Sequence, residues 1–241
     1  MSEEKQIVVP SSALDRLPIF PLPNVVLFPN TDIPLHIFEP RYRQMMDHVI
    51  DKHRMFGLAL LNPEKSASSK LDVTLPETPK APPVYPVAGL ALIRSAARLP
   101  DGLYNIVVRG IARIDVSNEI LEPDSDRLYR IASARIRTLD EIPKYEDLKQ
   151  EFTTFFSLTH RVLGGIKKVR IRFDQKIETV EDMISFVDAI SALTLPSPQH
   201  RQSVLGSNCI FERMHIASAA LAELLLKTQN FDENSSNWGL A

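Results

Sequence analysis

The residues best equipped for acid–base, nucleophilic or metal chemistry in this chain are six histidines and one cysteine. A metal site on a helix needs histidines one turn apart. His36, His48, His53, His160, His200 and His215 include no H-x-x-x-H pair and none at ligand spacing from the cysteine. His48 and His53 are five positions apart, so a helical face holding one leaves the other off it. Cys209 has His215 nearby as a formal base, but its apolar neighbours at an expected helix start read as the setting of a small buried hydrophobe. No G-x-x-x-x-G-K-[ST] phosphate loop occurs, and Gly164-Gly165-Ile166-Lys167-Lys168 has neither the spacing nor the magnesium-binding hydroxyl. The expectation is therefore no metal, no cofactor and no catalytic residue. Two polar clusters remain. In Glu39-Pro40-Arg41-Tyr42 a glutamate stands just before a helix, where it can answer unpaired amides, with an arginine capable of a bidentate contact beside it. From Arg161 to Arg172, with Lys167, Lys168 and Arg170 between, there is no acidic residue, which suits a phosphate backbone as well as a solvated rim.

The elements that must position these groups follow from proline and apolar spacing. Residues 17 to 38 are apolar but broken by Pro18, Pro21, Pro23, Pro29 and Pro34, so short edge strands and turns are expected. From Pro40 the period turns helical, with Tyr42, Met45, Met46, Val49 and Ile50 on one face over residues 40 to 51. Met55 to Leu61 is short and almost wholly apolar, as a buried strand is. Residues 62 to 83 are rich in Pro, Ser, Lys and Glu and read as a mobile loop. A hairpin follows, Val87 to Leu99 and Leu103 to Val116, turning at Asp101-Gly102, with a bulge expected at Gly110. One more strand is expected from Tyr129 to Thr138.

Past Pro143 the period stays helical. Tyr145, Leu148, Phe152, Phe155, Phe156, Val162 and Leu163 form one stripe that ends at Gly164-Gly165. Thr179 with Asp182 makes a capping-box start for a second helix. Ser197-Pro198 opens a third that closes at Gly206, and a fourth runs from about Cys209 through Leu225. None of these buries its stripe alone, so a bundle is expected. The fold class is α+β: an antiparallel β part with one helix at residues 14–138, then a helical part at 139–228, between a flexible 1–13 and a polar tail at 229–241.

Composition narrows the function. With 28 basic residues against 30 acidic, no whole-chain field holds nucleic acid or an anionic membrane. A single cysteine rules out an intrachain disulfide and a tetrathiolate zinc site, and fits a reducing compartment. The first fifteen residues have no apolar core of signal-peptide length, and no stretch approaches a membrane span. The expected location is the cytoplasm.

The run LPIFPLPNVVLFPNTDIPLHIFEPRYRQMM, residues 17–46, closely resembles the opening of the N-terminal, substrate-binding domain of Lon proteases. Phe56-Gly57, Val87-Ala88-Gly89, Leu99-Pro100-Asp101-Gly102, Val108-Arg109-Gly110-Ile111-Ala112-Arg113 and Tyr129-Arg130-Ile131-Ala132 follow in that family's order, and the resemblance extends over roughly residues 14 to 227. It implies a six-stranded pseudo-barrel related to PUA-like folds, then a helical bundle, in a stand-alone member without ATPase or protease domains. It also implies a non-catalytic polypeptide-binding module, an adaptor or regulator in protein quality control. Its partners would be polypeptide segments or components of the proteolytic machinery.

On this reading Phe38, Tyr42 and Met45 wall an apolar cleft for a peptide, with Glu39 and Arg41 as its polar rim and Arg109 and Arg113 as further candidates. A purely structural reading of Glu39 to Tyr42, in which the cluster locks the first helix to the barrel, stands beside it. The alternative function is RNA or nucleotide binding, since PUA-like folds include RNA binders, with Lys167, Lys168, Arg170 and Arg172 on the phosphates.

Overall fold

Proline placement decides how the first strands pair. Strand β1 (Leu17–Leu22) runs antiparallel to β6 (Arg130–Arg137) only over Leu17 to Ile19, and parallel to β3 (Met55–Leu60) only over Ile19 to Leu22. Pro18 thus faces a neighbour on one side and Pro21 on the other, the edge condition that a residue without an N–H requires. The structure, a computed structural model, describes residues 9–68, 82–119, 126–165 and 177–236. It divides into two compact units, Met1–Arg137 and Thr138–Ala241.

In the first unit, β4 (Val87–Arg98) and β5 (Tyr104–Glu119) form the long hairpin. The order β5-β4-β3-β1-β6 closes on itself through a β5–β6 pairing, and β2 (Asp32–Ile37) hangs outside the ring on β5. The barrel is therefore mixed rather than wholly antiparallel, with five strands in the ring. The parallel β1–β3 pair arises because the chain between them passes through helix α2 (Pro40–Val49), the kind of crossover that parallel strands need. The hairpin turns at Asp101-Gly102: Gly102 sits at φ +77°, and the Leu103 N–H donates to the Asp101 carboxylate at 3.1 Å. The register slips at Ile111, between the pairs Leu90–Ala112 and Ala91–Gly110, which is the bulge expected there.

Helix α2 starts at a proline, which suits its first turn, and buries Tyr42, Met45, Met46 and Val49 on one stripe. It ends where Arg54, at φ +57°, turns its N–H back to the Val49 carbonyl. These four side chains join Phe20, Phe56, Leu58, Ile93, Ile106 and Tyr129 in one core cluster. The opposite side chains of β1 and β3 join a second, with Leu17, Ile19, Met55, Ala59, Leu90 and Ile114. That second cluster is flanked by Leu14 of a short helix, α1 (Ser11–Asp15). Residues 11 to 13, assigned above to a flexible N-terminus, are its first residues, and Ala13 is buried. Part of the expected 62–83 loop is also regular: α3 (Pro63–Ser68) is capped by the Asn62 side chain, which accepts from the N–H of Glu64 and of Lys65. A Leu61–Val84 bridge closes the base of that excursion.

The irregular segment before β2 crosses the sheet where glycines allow it. A Cβ on Gly89 would stand 2.2 Å from the Leu27 carbonyl oxygen, and one on Gly110 would stand 2.0 Å from that of Phe28. At the second crossing the backbones exchange hydrogen bonds, Gly110 N–H to Thr31 O at 2.9 Å and Asn30 N–H to Gly110 O at 2.8 Å. The buried side chains of Val26, Leu27 and Phe28 are thereby fixed without a strand of their own.

The second unit holds α4 (Tyr145–Gly165), α5 (Val180–Thr194), α6 (Pro198–Gly206) and α7 (Ile210–Ser236). Thr179 caps α5 reciprocally with Asp182, and Ser197 accepts from the N–H groups of Gln199 and His200 at the start of α6. Phe152 and Phe155 of α4 meet Phe186 of α5 edge-on, at 5.4 and 6.1 Å between ring centres. Arg213 and Asp188 are both buried and face each other at 3.9 Å, with Arg213 Nε also donating to the Ser207 carbonyl. Helix α7 continues to Ser236, so residues 229 to 236 of the expected polar tail have helical backbone. No helix among the described residues is long and apolar enough to cross a membrane.

Candidate functional site

The helix that begins at Pro40 separates the residues expected to wall a cleft. Phe38, the last residue before the helical approach, is 61% exposed, whereas Tyr42 is 3% and Met45 0% exposed. Tyr42 and Met45 are core residues of the barrel unit and line no open cleft. Their spacing reports a shared helical face, and the barrel covers that face. Burial pushes the Tyr42 hydroxyl above its ordinary pKa, with Arg41 acting against the shift. Truncating a buried methionine costs about 2–5 kcal/mol, so a Met45→Ala variant reports on folding rather than on ligand.

Glu39 makes no side-chain cap to α2. Its backbone carbonyl accepts from the N–H of Tyr42 and of Arg43, and its carboxylate pairs with Arg41 at 2.7 Å. The Arg41 guanidinium lies 4.6 Å from the centre of the Tyr42 ring. The cluster therefore staples the exposed side of the first helical turn. Arg109 is half-buried, opposite Asp32 on the neighbouring strand, with 3.8 Å between their charged atoms. Arg113 is buried, its guanidinium 5.9 Å from the Phe28 ring centre, and belongs to the interior rather than to a cleft. Lys167, Lys168, Arg170 and Arg172 lie outside the described residues.

Phe38 does stand beside a groove, one formed by other residues. On the face of β2, β5 and the far end of β4, a depression of about 480 Å³ is bounded by Pro34, Leu35 and His36 of β2, Ser95 to Ala97 of β4, and Asn105 to Val107 of β5. A slip in the β4–β5 register at Arg94 precedes this end of β4, where Ser95, Ala96 and Ala97 are exposed. These small side chains let another backbone approach closely. His36 is held by its Nδ1–H, which donates to the Asn105 amide oxygen at 2.7 Å, and its ring stacks on Phe38 at 6.2 Å and 26°. Strand β2 pairs only with β5 among the described residues, and Pro34 at its middle supplies no donor to a further strand. The groove thus offers apolar and small side chains with two polar handles. It suits side-chain docking better than strand addition. Among the described residues no group of three His, Cys, Asp or Glu side chains is placed to hold a metal ion. Cys209, expected to be buried, is exposed.

The signal that could have found the groove was in β2, where Asp32, Pro34 and His36 alternate with less exposed neighbours. The contributions of Ser95 to Ala97 carried no such signal, because small residues in a strand read equally as core.

Comparison with known proteins places the chain. Residues 16–223 match the family described as ATP-dependent protease La (LON) substrate-binding domain. The Lon protease of Heliobacterium modesticaldum is 23% identical over 223 residues, covering 92% of this chain and 25% of that protein. The chain spans about a quarter of the length of the curated relatives it matches. Among solved structures, the N-terminal domain of Mycobacterium avium complex Lon protease superposes with a TM-score of 0.57 at 13% identity, over 86% of this chain and 98% of that one. A Lon N-terminal domain protein from Xanthomonas campestris gives 0.53 at 18% identity, over 83% and 95%.

Proposed function

The chain belongs to the ATP-dependent protease La (LON) substrate-binding domain family, and we propose from that membership that it binds exposed apolar segments of polypeptides through the groove between β2 and β4. In this reading Phe38 grips an apolar side chain of the bound segment, Ser95 to Ala97 form the floor, and His36 and Asn105 hold its backbone. The chain binds without hydrolysing ATP or cleaving peptides, as an adaptor or regulator in proteolytic quality control. The single observation that supports it most is Phe38, a large aromatic side chain 61% exposed and stacked at the mouth of an apolar groove.

Burying an aromatic side chain contributes roughly 1.5–3 kcal/mol, so Phe38→Ala is expected to weaken binding of a permanently unfolded polypeptide by about tenfold or more. Ala96→Glu should do the same by placing a charge in the floor, and both variants should melt within a few degrees of the parent. Fluorescence anisotropy against a labelled, reduced and alkylated protein reads the affinity, expected in the micromolar range. A structured RNA at low and high salt is the comparison arm. RNA binding that falls steeply with salt, with no binding of the unfolded chain, would replace this reading with the nucleic-acid alternative.

A further inference from the structure

The two ends of the sheet face that carries the groove differ in what they leave open. At one end Asp32 stands opposite Arg109, and the two pair with each other at 3.8 Å. At the other, two rungs along, His36 stands opposite Asn105 and, beyond it, Ala97 of β4. Among the described residues that line the groove, His36 is the ionisable one. Its charge is therefore the variable that the groove itself presents to a bound segment.

The bond to Asn105 decides what a change of charge does. An amide oxygen 2.7 Å from Nδ1 accepts a hydrogen that the neutral ring and the imidazolium both carry there, so gaining a proton leaves the ring in place against Phe38. What changes is Nε2, which has no hydrogen bond among the described residues and turns from acceptor to donor. No carboxylate among the described residues is ion-paired to the ring. On β2 and β5 the charged neighbours are Asp32 and Arg109, about 13 Å away along the strands. At the end of β2 the Glu39 carboxylate is held by Arg41 at 2.7 Å. On β4 the Arg98 guanidinium lies over the ring of Tyr104, whose side chain alternates to the other face from Asn105, and Arg94 is exposed at the register slip. In the hairpin turn the Asp101 carboxylate accepts from the Leu103 N–H.

We infer that His36 is the specificity-determining residue of the groove: its neutral ring accepts from a backbone N–H of the bound segment, and its imidazolium donates to an Asp or Glu carboxylate flanking the bound apolar side chain. The inference rests on the groove reading above and adds a partner chemistry to it, an apolar residue beside an acidic one. Imidazole changes charge between about pH 5 and 8, an interval over most of which Asp and Glu side chains are ionised. Both charges of the pair are then present at the acidic end of that interval and one is lost at the basic end. Preference for acidic over neutral segments accordingly rises as pH falls, and a charge-assisted hydrogen bond carries it.

The test uses the full chain and two labelled, disordered peptides with the same central leucine, flanked on both sides by Glu in one and by Gln in the other. Fluorescence anisotropy at about pH 5.5 and about pH 8 gives the ratio of the two affinities, which cancels effects of pH common to both peptides. In the parent that ratio should rise about three- to fivefold from the basic to the acidic condition, the upper part of the range for an exposed ion pair. His36→Gln should remove the rise, and His36→Lys should keep the ratio high at both pH values. Both variants alter an exposed side chain and should melt as the parent does. A parent ratio that does not change with pH, or a rise that survives in His36→Gln, overturns the inference while leaving the groove reading standing. Failure of both peptides to bind at either pH overturns it as well, and if the unfolded polypeptide also fails to bind, the groove reading falls with it.

Discussion

In the β unit the least tolerant positions are places where backbone meets backbone, at Gly89 and Gly110, whereas in the helical unit they are contacts between side chains, such as the Phe186 cluster and the Asp188–Arg213 pair. The same residue type has opposite meaning in the two. A Cβ on Gly110 would stand 2.0 Å from a carbonyl oxygen that cannot withdraw, since hydrogen bonds on Asn30 and Thr31 hold the crossing segment. A Cβ on Gly164 or Gly206 would meet nothing within 4 Å. A barrel that threads an irregular segment over its own strands concentrates its requirements at a few points. A helical unit spreads them along stripes and caps, so each is smaller.

Four substitutions test that contrast, in falling order of effect. Gly110→Ala should destabilise by roughly 3 kcal/mol or more, because overpacking against fixed backbone has little route to relax. A urea melt shifted by less than a third of that would show the crossing to be pliant. Thr179→Ala should cost about 1 kcal/mol through the lost cap of α5, with faster hydrogen exchange in that helix. The same cap carries an acid dependence. The Thr179 hydroxyl first, and then the amides of Glu178 and Thr179, hold the Asp182 carboxyl below its ordinary value. Its contribution is complete above the ordinary carboxylate range and disappears as pH falls through the depressed value, and Asp182→Asn should remove that part of the acid profile. Gly164→Ala, finally, should stabilise by about 0.5 kcal/mol, since the helix gains a better former and nothing is displaced.

What could be read from the chain follows the same division. Local chemistry announced itself: positive φ at Gly102, the Thr179–Asp182 box and the buried stripe of α2 were all visible as spacing. The placement of that stripe was not, because periodicity says which residues share a face and not what covers it. Tyr42 and Met45 looked like cleft walls for that reason and are core. The parallel partner of β1 was equally hidden, since a short apolar run such as Met55 to Leu60 fits either direction. The cavity where α1, the turn after α2 and the start of β6 meet could not be seen at all. Its Arg16, Lys52, His53 and Arg127 come from three separate stretches that only the closed barrel brings together.

The closing seam of that barrel also sets the order of events by which it forms. Leu17 pairs with Ala132, so the ring is sealed by residues more than a hundred positions apart, and β6 is the last of its strands to leave the ribosome. Until then β1 and β5 each keep one side open, and the hairpin of β4 and β5 is the long local pairing available among the described residues. Such distant pairing makes folding slow relative to helices that complete their hydrogen bonds within their own span. For as long as the seam is open, the nascent β unit presents the unpaired strand edges that chaperones and aggregation both recognise.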